Sequence, residues 1–264
     1  MMSVTRLGSF SDPLEGHGVS LVNAMVARLR SSDLSLPPLL PAPEGPHFVF
    51  ETSPTLFSNR TGRGPLRVAW DTNLLIDYFE QGRRLWAGED LPGEVPTGDS
   101  EELEGLQLLI AMWVVRDIRF QIPDFFLRDS KSKPLSAERR SQRRHAMRHF
   151  LAALAFTDEG VEHGRQRTTH ATDDYFLQRL PRGNDRLMVG DALRSGADVF
   201  LTRDAGVLKA RAALRMLGLL VASPLDVVEE LSAAGAMHCL FSPEYLYWPM
   251  PDQARVAHLV SALH

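Results

Sequence analysis

Cysteine and long apolar runs are the features that this sequence most clearly lacks. Cys239 is the single cysteine among 264 residues, which excludes an intrachain disulfide and a cysteine-based zinc site and fits a reducing compartment. No apolar run approaches the roughly 20 residues of a membrane helix, and the first residues lack the apolar core of a signal peptide. We therefore expect a cytoplasmic protein without a membrane segment.

An excess of positive charge is also missing. The formal net charge is -4 and the pI is about 6.1, so any affinity for phosphate has to come from local patches or from bound metal. Hydrophobic residues make up 44% and charged residues 23% of the chain, which is the balance of an ordinary globular protein. The length suits one domain with extensions or two small domains.

Short apolar runs alternate with helical patterns through the middle of the chain. The predicted strands are LRVAW (66–70), IRFQI (118–122), DVFLT (198–202) and GLLVAS (218–223). The predicted helices lie in LLIDYFEQG and over 103–117, 134–156 and 184–196, with a Gly- and Pro-rich loop over 82–100. Strands that alternate with helices predict an α/β fold with a central parallel sheet.

The alternating pattern also indicates how the domains are organised. Residues 1–65 contain one amphipathic candidate helix, VSLVNAMVARLR, followed by a proline-dense stretch, and we interpret them as an N-terminal extension. Residues 66–225 form the predicted α/β domain. Residues 226–264 are interpreted as a C-terminal helical extension, which includes most of the proline-initiated helix PLDVVEELSAAG.

Two aspartates follow predicted strands directly or nearly so. Asp71 comes after LRVAW, and Asp204 comes two residues after DVFLT. Either one alone is more simply explained as a turn or helix-cap residue. Ligands of open parallel sheets bind beyond the carboxyl ends of the strands, so two carboxylates at equivalent ends favour a shared site.

Asp185 is a third candidate, at the start of the predicted helix over 184–196. In this position it suits a helix N-terminus and its dipole. It also shares a face with Met188, Val189 and Ala192 by helical spacing, which places it on the side that packs against the sheet. Asp191 borders the same face and is equally well interpreted as a further ligand or as a solvated helix residue.

A fourth acid is expected after the second strand. Asp129, in PDFFLRDSKS, is the preferred candidate, and Asp124 and Glu138 compete with it. Clustered carboxylates raise each other's pKa values, and hard divalent cations relieve that repulsion. Oxygen-only ligands favour Mg²⁺ or Mn²⁺ over zinc, and such ions suit in-line displacement at a phosphate.

The segments WDTNLLIDYF and NDRLMVGDALRSGADVFLTRDAGVL resemble the first and last motifs of PIN domains. The resemblance covers roughly residues 66–225 and implies a three-layer α/β/α fold with a central parallel sheet. Many members are Mg²⁺- or Mn²⁺-dependent ribonucleases, including the VapC-type toxins of toxin–antitoxin pairs. The closing motif, an acid, a helix, Gly-Ala, a strand and Thr-Arg-Asp, is the more specific of the two.

The resemblance also implies roles for individual residues. Asp71, Asp185 and Asp204 match the family's first, third and last acids, and Thr202 and Asn73 match polar residues that support them. The family's second acid is usually a glutamate, whereas the best match here is Asp129, which is one methylene shorter. We expect all four aspartates to be catalytic, with Asp71, Asp185, Asp204 and Asp191 as the candidate metal ligands.

An arginine stripe indicates where RNA binds. Arg140, Arg144 and Arg148 recur at i, i+4 spacing in ERRSQRRHAMRHF, and we expect this ridge to contact phosphates. A solvated helix face is the simpler explanation of most charged helices. An acidic protein partner, such as an inhibitory antitoxin segment, fits the stripe equally well, and a homodimer is a further partner to test for.

Together these features predict an endoribonuclease in which a metal-activated water hydrolyses the phosphodiester bond, and which acts as a toxin if a partner antitoxin exists. The alternative is a degenerate PIN-like domain that binds RNA or protein without catalysis. A phosphatase with Asp71 as nucleophile ranks lower, because such enzymes commonly need a second aspartate where Asn73 stands.

Overall fold

A parallel four-stranded sheet organises the part of the chain that the computed structural model describes, which comprises residues 47–87, 92, 97–121, 136–138, 140, 141, 144, 145, 175–180, 183–234 and 236. The sheet consists of β3 (Leu66–Trp70), β4 (Ile118–Gln121), β5 (Val199–Leu201) and β6 (Leu220–Ala222), in the order β4-β3-β5-β6. All three pairings are parallel. The expected mixed α/β fold with a parallel sheet is therefore confirmed.

Helices connect the strands and are named here in chain order. They are α1 (Pro54–Phe57), α2 (Thr72–Ala87), α3 (Thr97–Val115), α4 (Asn184–Arg194), α5 (Ala205–Leu208), α6 (Arg211–Arg215) and α7 (Pro224–Ala233). The predicted loop over 82–100 is wrong at both ends, because α2 continues to Ala87 and α3 begins at Thr97. The glycines and prolines there outweighed the helical pattern in the sequence-based prediction.

Helices cover both faces of the sheet. Consecutive residues of a strand point to opposite faces, and Ala69 packs in a core cluster with Val189 and Leu193 of α4. The next residue, Trp70, packs edge-to-face on Tyr78 of α2. The three strands β3, β5 and β6 are almost wholly buried, which explains why they appear in the sequence as apolar runs that only Arg67 interrupts.

Close packing joins α3 to α7. A Cβ atom at Gly105 would lie 2.8 Å from the backbone nitrogen of Leu225, so only glycine permits this approach. The capping box of Ser223 and Asp226 begins α7. Pro224 stands in its first turn, as expected from the sequence. This helix crosses the predicted domain border at residue 225.

Residues 47–64, which belong to the predicted N-terminal extension, pack on the domain. They form the antiparallel pair β1 (Phe48–Val49) and β2 (Arg63–Gly64), a short 3-10 helix and α1. Phe48 and Phe50 both stack against Phe57, and all three rings are buried. These rings hold the segment together, and the guanidinium of Arg116 over the Phe48 ring joins it to the domain.

Polar side-chain contacts hold the same segment at the amino end of the sheet. Arg60 donates to the Oδ1 of Asp198 at 2.5 Å, and the other oxygen of Asp198 accepts from the backbone of Arg67. His47 lies 3.0 Å from the Oδ2 of Asp117, whose side chain is fully buried. Burial raises the pKa of Asp198, and the neighbouring arginines oppose that rise.

Some predictions lie outside the described residues, namely the helix in VSLVNAMVARLR, the positions of Asp129, Asp124 and Arg148, and most of the C-terminal extension. Within the predicted helix over 134–156, the described residues 137, 138, 140, 141, 144 and 145 are helical. Among the helices that the structure describes, none has both the length and the apolar content that crossing a membrane requires.

Candidate functional site

The carboxyl ends of β3 and β5 adjoin in the middle of the sheet. The N–H of Asp71 donates to the carbonyl of Leu201 at 2.9 Å, which continues the ladder between the two strands by one residue. The chain segments that follow the strands therefore leave the sheet side by side. This is the edge at which open parallel sheets bind ligands.

Asp71 and Thr202 form a buried polar pair at that edge. The hydroxyl of Thr202 donates to the Oδ2 of Asp71 at 2.7 Å, although 131 residues separate them in the chain. Asp71 is 4% exposed and Thr202 is 0% exposed. The same hydroxyl oxygen accepts a 3.0 Å hydrogen bond from the backbone N–H of Asp204. One threonine thus links two of the predicted acids.

Burial raises the pKa of Asp71, and the hydrogen bond from Thr202 opposes that rise. The negative charge of Asp185 raises the pKa further, whereas the backbone N–H groups of Asn73 and Thr72 lower it. Asp185 is therefore near enough to interact with Asp71 through its charge. It lies in the first turn of α4 and is partly buried, as the helical register predicts.

Asp204 is the N-cap of α5. Its Oδ1 accepts hydrogen bonds from the backbone nitrogens of Gly206 at 2.7 Å and of Val207 at 3.0 Å. The structural explanation that the sequence offered for this residue, a turn or cap aspartate, therefore holds. A capping carboxylate retains acceptor capacity, since an ionised carboxylate accepts at about four lone-pair sites.

The other candidate ligands lie in different settings. Asp191 forms an i, i+3 ion pair with Arg194, and its side chain is 14% exposed, so both interpretations of this residue stay predictions. Asn73 is exposed and its backbone bonds to Asp71. The neighbouring Thr72 is buried, and its hydroxyl lies 3.4 Å from the sulfur of Met188 on α4.

Asp71, Asp185, Asp191 and Asp204 are the predicted acids that the structure describes, and no three of them form a metal-binding group. Among the described residues, no three His, Cys, Asp or Glu side chains lie close enough to hold an ion. Asp71 and Asp185 interact through their charges, and Asp204 reaches Asp71 through Thr202. The preferred fourth acid, Asp129, lies outside the described residues.

Arg203 is a charged residue of this edge that the sequence analysis did not select. Its guanidinium pairs with Asp77 on α2 and with Asp99 at the start of α3, the latter at 2.8 Å. Burial raises the pKa of Asp77 to about 6, although the charge of Arg203 opposes that rise. The position of Arg203 between Thr202 and Asp204 is the one sequence feature that could have identified it as a site residue. No local pattern predicts that it pairs with Asp77 and Asp99.

The arginine stripe is described at two of its three positions. Arg140 and Arg144 are exposed, as is the competing acid Glu138. The side chain of Arg144 donates to the carbonyl of Arg140 at 3.2 Å, consistent with one turn of helix. Arg148 lies outside the described residues, so the full stripe stays a prediction.

Neither a protein-family model, nor a curated protein, nor a solved structure matches the chain. The resemblance to PIN domains therefore gains no support from known proteins.

Proposed function

We propose that this protein is a Mg²⁺- or Mn²⁺-dependent endoribonuclease with a PIN-like three-layer α/β/α domain. The observation that supports this best is the buried Asp71 at the end of β3, held by Thr202 and influenced by the charge of Asp185. A buried carboxylate beside a second acid is costly in a purely structural role. Such arrangements are common at functional sites.

The donor set fits a hard divalent cation. A cation at this edge would offset both the burial of Asp71 and its repulsion from Asp185, since opposite charge favours the ionised form. Asp71 and Asp185 would hold it first. Asp129, Asp204 and Asp191 are the candidates for further ligands, and Asp204 or Asp191 would have to approach more closely than in the described arrangement. Such an ion supplies a bound water of lowered pKa and stabilises charge on a phosphate.

The chain's own residues contribute orientation. Thr202 fixes the rotamer of Asp71 through a 2.7 Å hydrogen bond, and the N–H groups of Thr72 and Asn73 hold the same carboxylate. Asp204 is fixed by capping α5. Carboxylates that are locked in this way need little reorganisation when a ligand arrives, which is how functional sites are preorganised.

The proposed PIN-like fold is more specific than the α/β fold with a parallel sheet. Its support is the adjacency of β3 and β5, which brings the opening Asp-Thr-Asn beside the closing Thr-Arg-Asp, and the helices on both faces of the sheet. RNA is the preferred substrate because Arg140 and Arg144 are exposed and provide local positive charge for phosphates. The chain as a whole, with a net charge of -4, does not provide it. A cytoplasmic location, an antitoxin or other acidic partner and a homodimer belong to the same proposal.

The experiment is cleavage of a mixed RNA pool with Mn²⁺, with and without chelator, by the wild type and by Asp71→Asn. We expect wild-type cleavage that the chelator abolishes, and none by the variant. Glu229→Gln, which removes one exposed charge on α7, is the matched control and should cleave normally. Equal cleavage by Asp71→Asn and the wild type would reject the proposal.

The alternative is a degenerate PIN-like module that binds RNA or protein without cleaving. The observation that favours it is the lack of a three-acid group among the described residues. Calorimetric titration with Mn²⁺ discriminates between the two functions. A catalytic site should bind Mn²⁺ in the micromolar to low millimolar range and lose that binding in Asp71→Asn, whereas a degenerate site should show no saturable heat.

A further inference from the structure

Arg203 lies beside the candidate site, and the proposed function does not yet explain its ion pairs. It stands between Thr202 and Asp204, and its guanidinium bridges two helices by pairing with Asp77 and Asp99. Its Nε is buried, and no described residue accepts a hydrogen bond from it. A guanidinium has five donors in a planar fork, so these two carboxylates do not use its full capacity.

The two partners of Arg203 differ in how firmly they are held. The side chains of Arg203 and Asp77 are each 21% exposed, whereas that of Asp99 is 52% exposed. Ion pairs with exposed carboxylates contribute little and are screened by salt. Asp77 therefore positions the guanidinium, and Asp99 is a partner that another anion can displace.

A phosphate is the anion that suits such a guanidinium. Arginine binds phosphate oxygens through two parallel N–H bonds, which are stronger than neutral hydrogen bonds. Asp77 lies six residues after Asp71 in the chain, or roughly 9 Å along α2 at about 1.5 Å per residue. An RNA strand whose scissile phosphate lies at Asp71 would thus place a neighbouring phosphate toward Arg203.

We propose that Arg203 binds a backbone phosphate of single-stranded RNA next to the scissile bond, and that Asp99 occupies this anion site in the free protein. The proposal deepens the proposed function and rests on it for the identity of the ligand. Asp77 acts as a positioning residue for Arg203 and does not contact the substrate.

The test measures binding of a labelled single-stranded RNA of about 12 nucleotides to the full chain in chelator, so that cleavage does not interfere. Arg203→Gln should weaken binding roughly tenfold, as expected for a lost charge-assisted hydrogen bond. It should also reduce the slope of log affinity against log salt by about 0.7, the value for one phosphate contact on a single strand.

Asp99→Asn should bind the RNA roughly two- to fivefold more tightly, because a weak competing ion pair is removed. Glu101→Gln is the matched control, because it neutralises another exposed carboxylate near the start of the same helix, and it should bind no more than slightly better than the wild type. Arg203→Lys keeps the charge and should retain the wild-type salt slope, which separates phosphate binding from a purely structural role.

The outcomes separate this proposal from the nuclease assignment. An unchanged salt slope in Arg203→Gln, equal affinities for Asp99→Asn and Glu101→Gln, or no RNA binding by the wild type would each overturn the role of Arg203. Cleavage with Mn²⁺ alongside any of these results would leave the nuclease assignment intact. RNA binding with the expected responses but no cleavage would reject the nuclease assignment and retain the phosphate site.

Discussion

The hydroxyl of Thr202 donates a 2.7 Å hydrogen bond to the Oδ2 of Asp71, and both side chains are buried at the carboxyl end of the sheet. This bond satisfies one oxygen of an acid whose charged form is disfavoured by its surroundings. It also joins the opening and closing motifs of the domain. The stability of the sheet edge and the orientation of Asp71 therefore depend on the same side chain.

Replacing Thr202 should expose that dependence. Thr202→Val keeps the shape but leaves Asp71 without the side-chain donor of Thr202 and the N–H of Asp204 without its acceptor. We expect a loss of about 1–3 kcal/mol in the free energy of unfolding, the usual cost of an unsatisfied buried polar group. Thr202→Ser keeps the hydroxyl and should lose much less. Urea denaturation measures both, and equal stabilities would contradict the role of the bond.

Two substitutions of Asp204 should separate capping from chemistry. Asparagine caps helices about as well as aspartate, whereas alanine costs about 0.5–2 kcal/mol. Because Asp204 accepts from Gly206 and Val207, Asp204→Ala should lower the melting temperature and Asp204→Asn should leave it nearly unchanged. On the proposed function, both variants lose Mn²⁺-dependent cleavage. Full cleavage by a stable Asp204→Asn would restrict the residue to its cap.

The raised pKa of Asp77 predicts a pH dependence of stability. Burial raises this pKa from 3.8 to about 6, so the folded protein binds a proton that the unfolded chain has already released. The free energy of unfolding should therefore fall as the pH rises from about 4 to about 6. Asp77→Asn should make that fall smaller, whereas Glu101→Gln should not. Denaturation curves at several pH values test this, and identical pH profiles for all three proteins would refute it.

Packing between α3 and α7 predicts opposite outcomes at two glycines of one helix. Gly105→Ala places a Cβ 2.8 Å from the nitrogen of Leu225, and overpacking of this kind costs about 1–3 kcal/mol. Gly98→Ala meets nothing described within 4 Å and should gain up to about 1 kcal/mol from helix propensity. Thermal denaturation compares them. Stabilisation by both alanines would show that α3 moves away from α7 at little cost.

Much of the sheet was accessible from the sequence. The residues of β3, β5 and β6 are apolar on both faces, with Arg67 as the one exception. Because helices cover both faces, each strand reads as a short apolar run. The helical register of α4 likewise predicted that Asp185 lies on the side facing the sheet. Local periodicity and strand ends thus identify Asp71, Asp185 and Asp204 as candidates from the sequence alone.

The order of the strands decided which distant residues meet at the candidate site. Because β3 lies next to β5, Asp71 meets Thr202, and Arg203 meets Asp77 and Asp99. The packing of residues 47–64 through Arg60 and Asp198 was likewise invisible in a stretch with few periodic signals. The sequence by itself determined which residues form strands and helices, since these depend on neighbours along the chain. Only the tertiary structure decided which charges face one another, because such pairs form between segments that the sheet brings together.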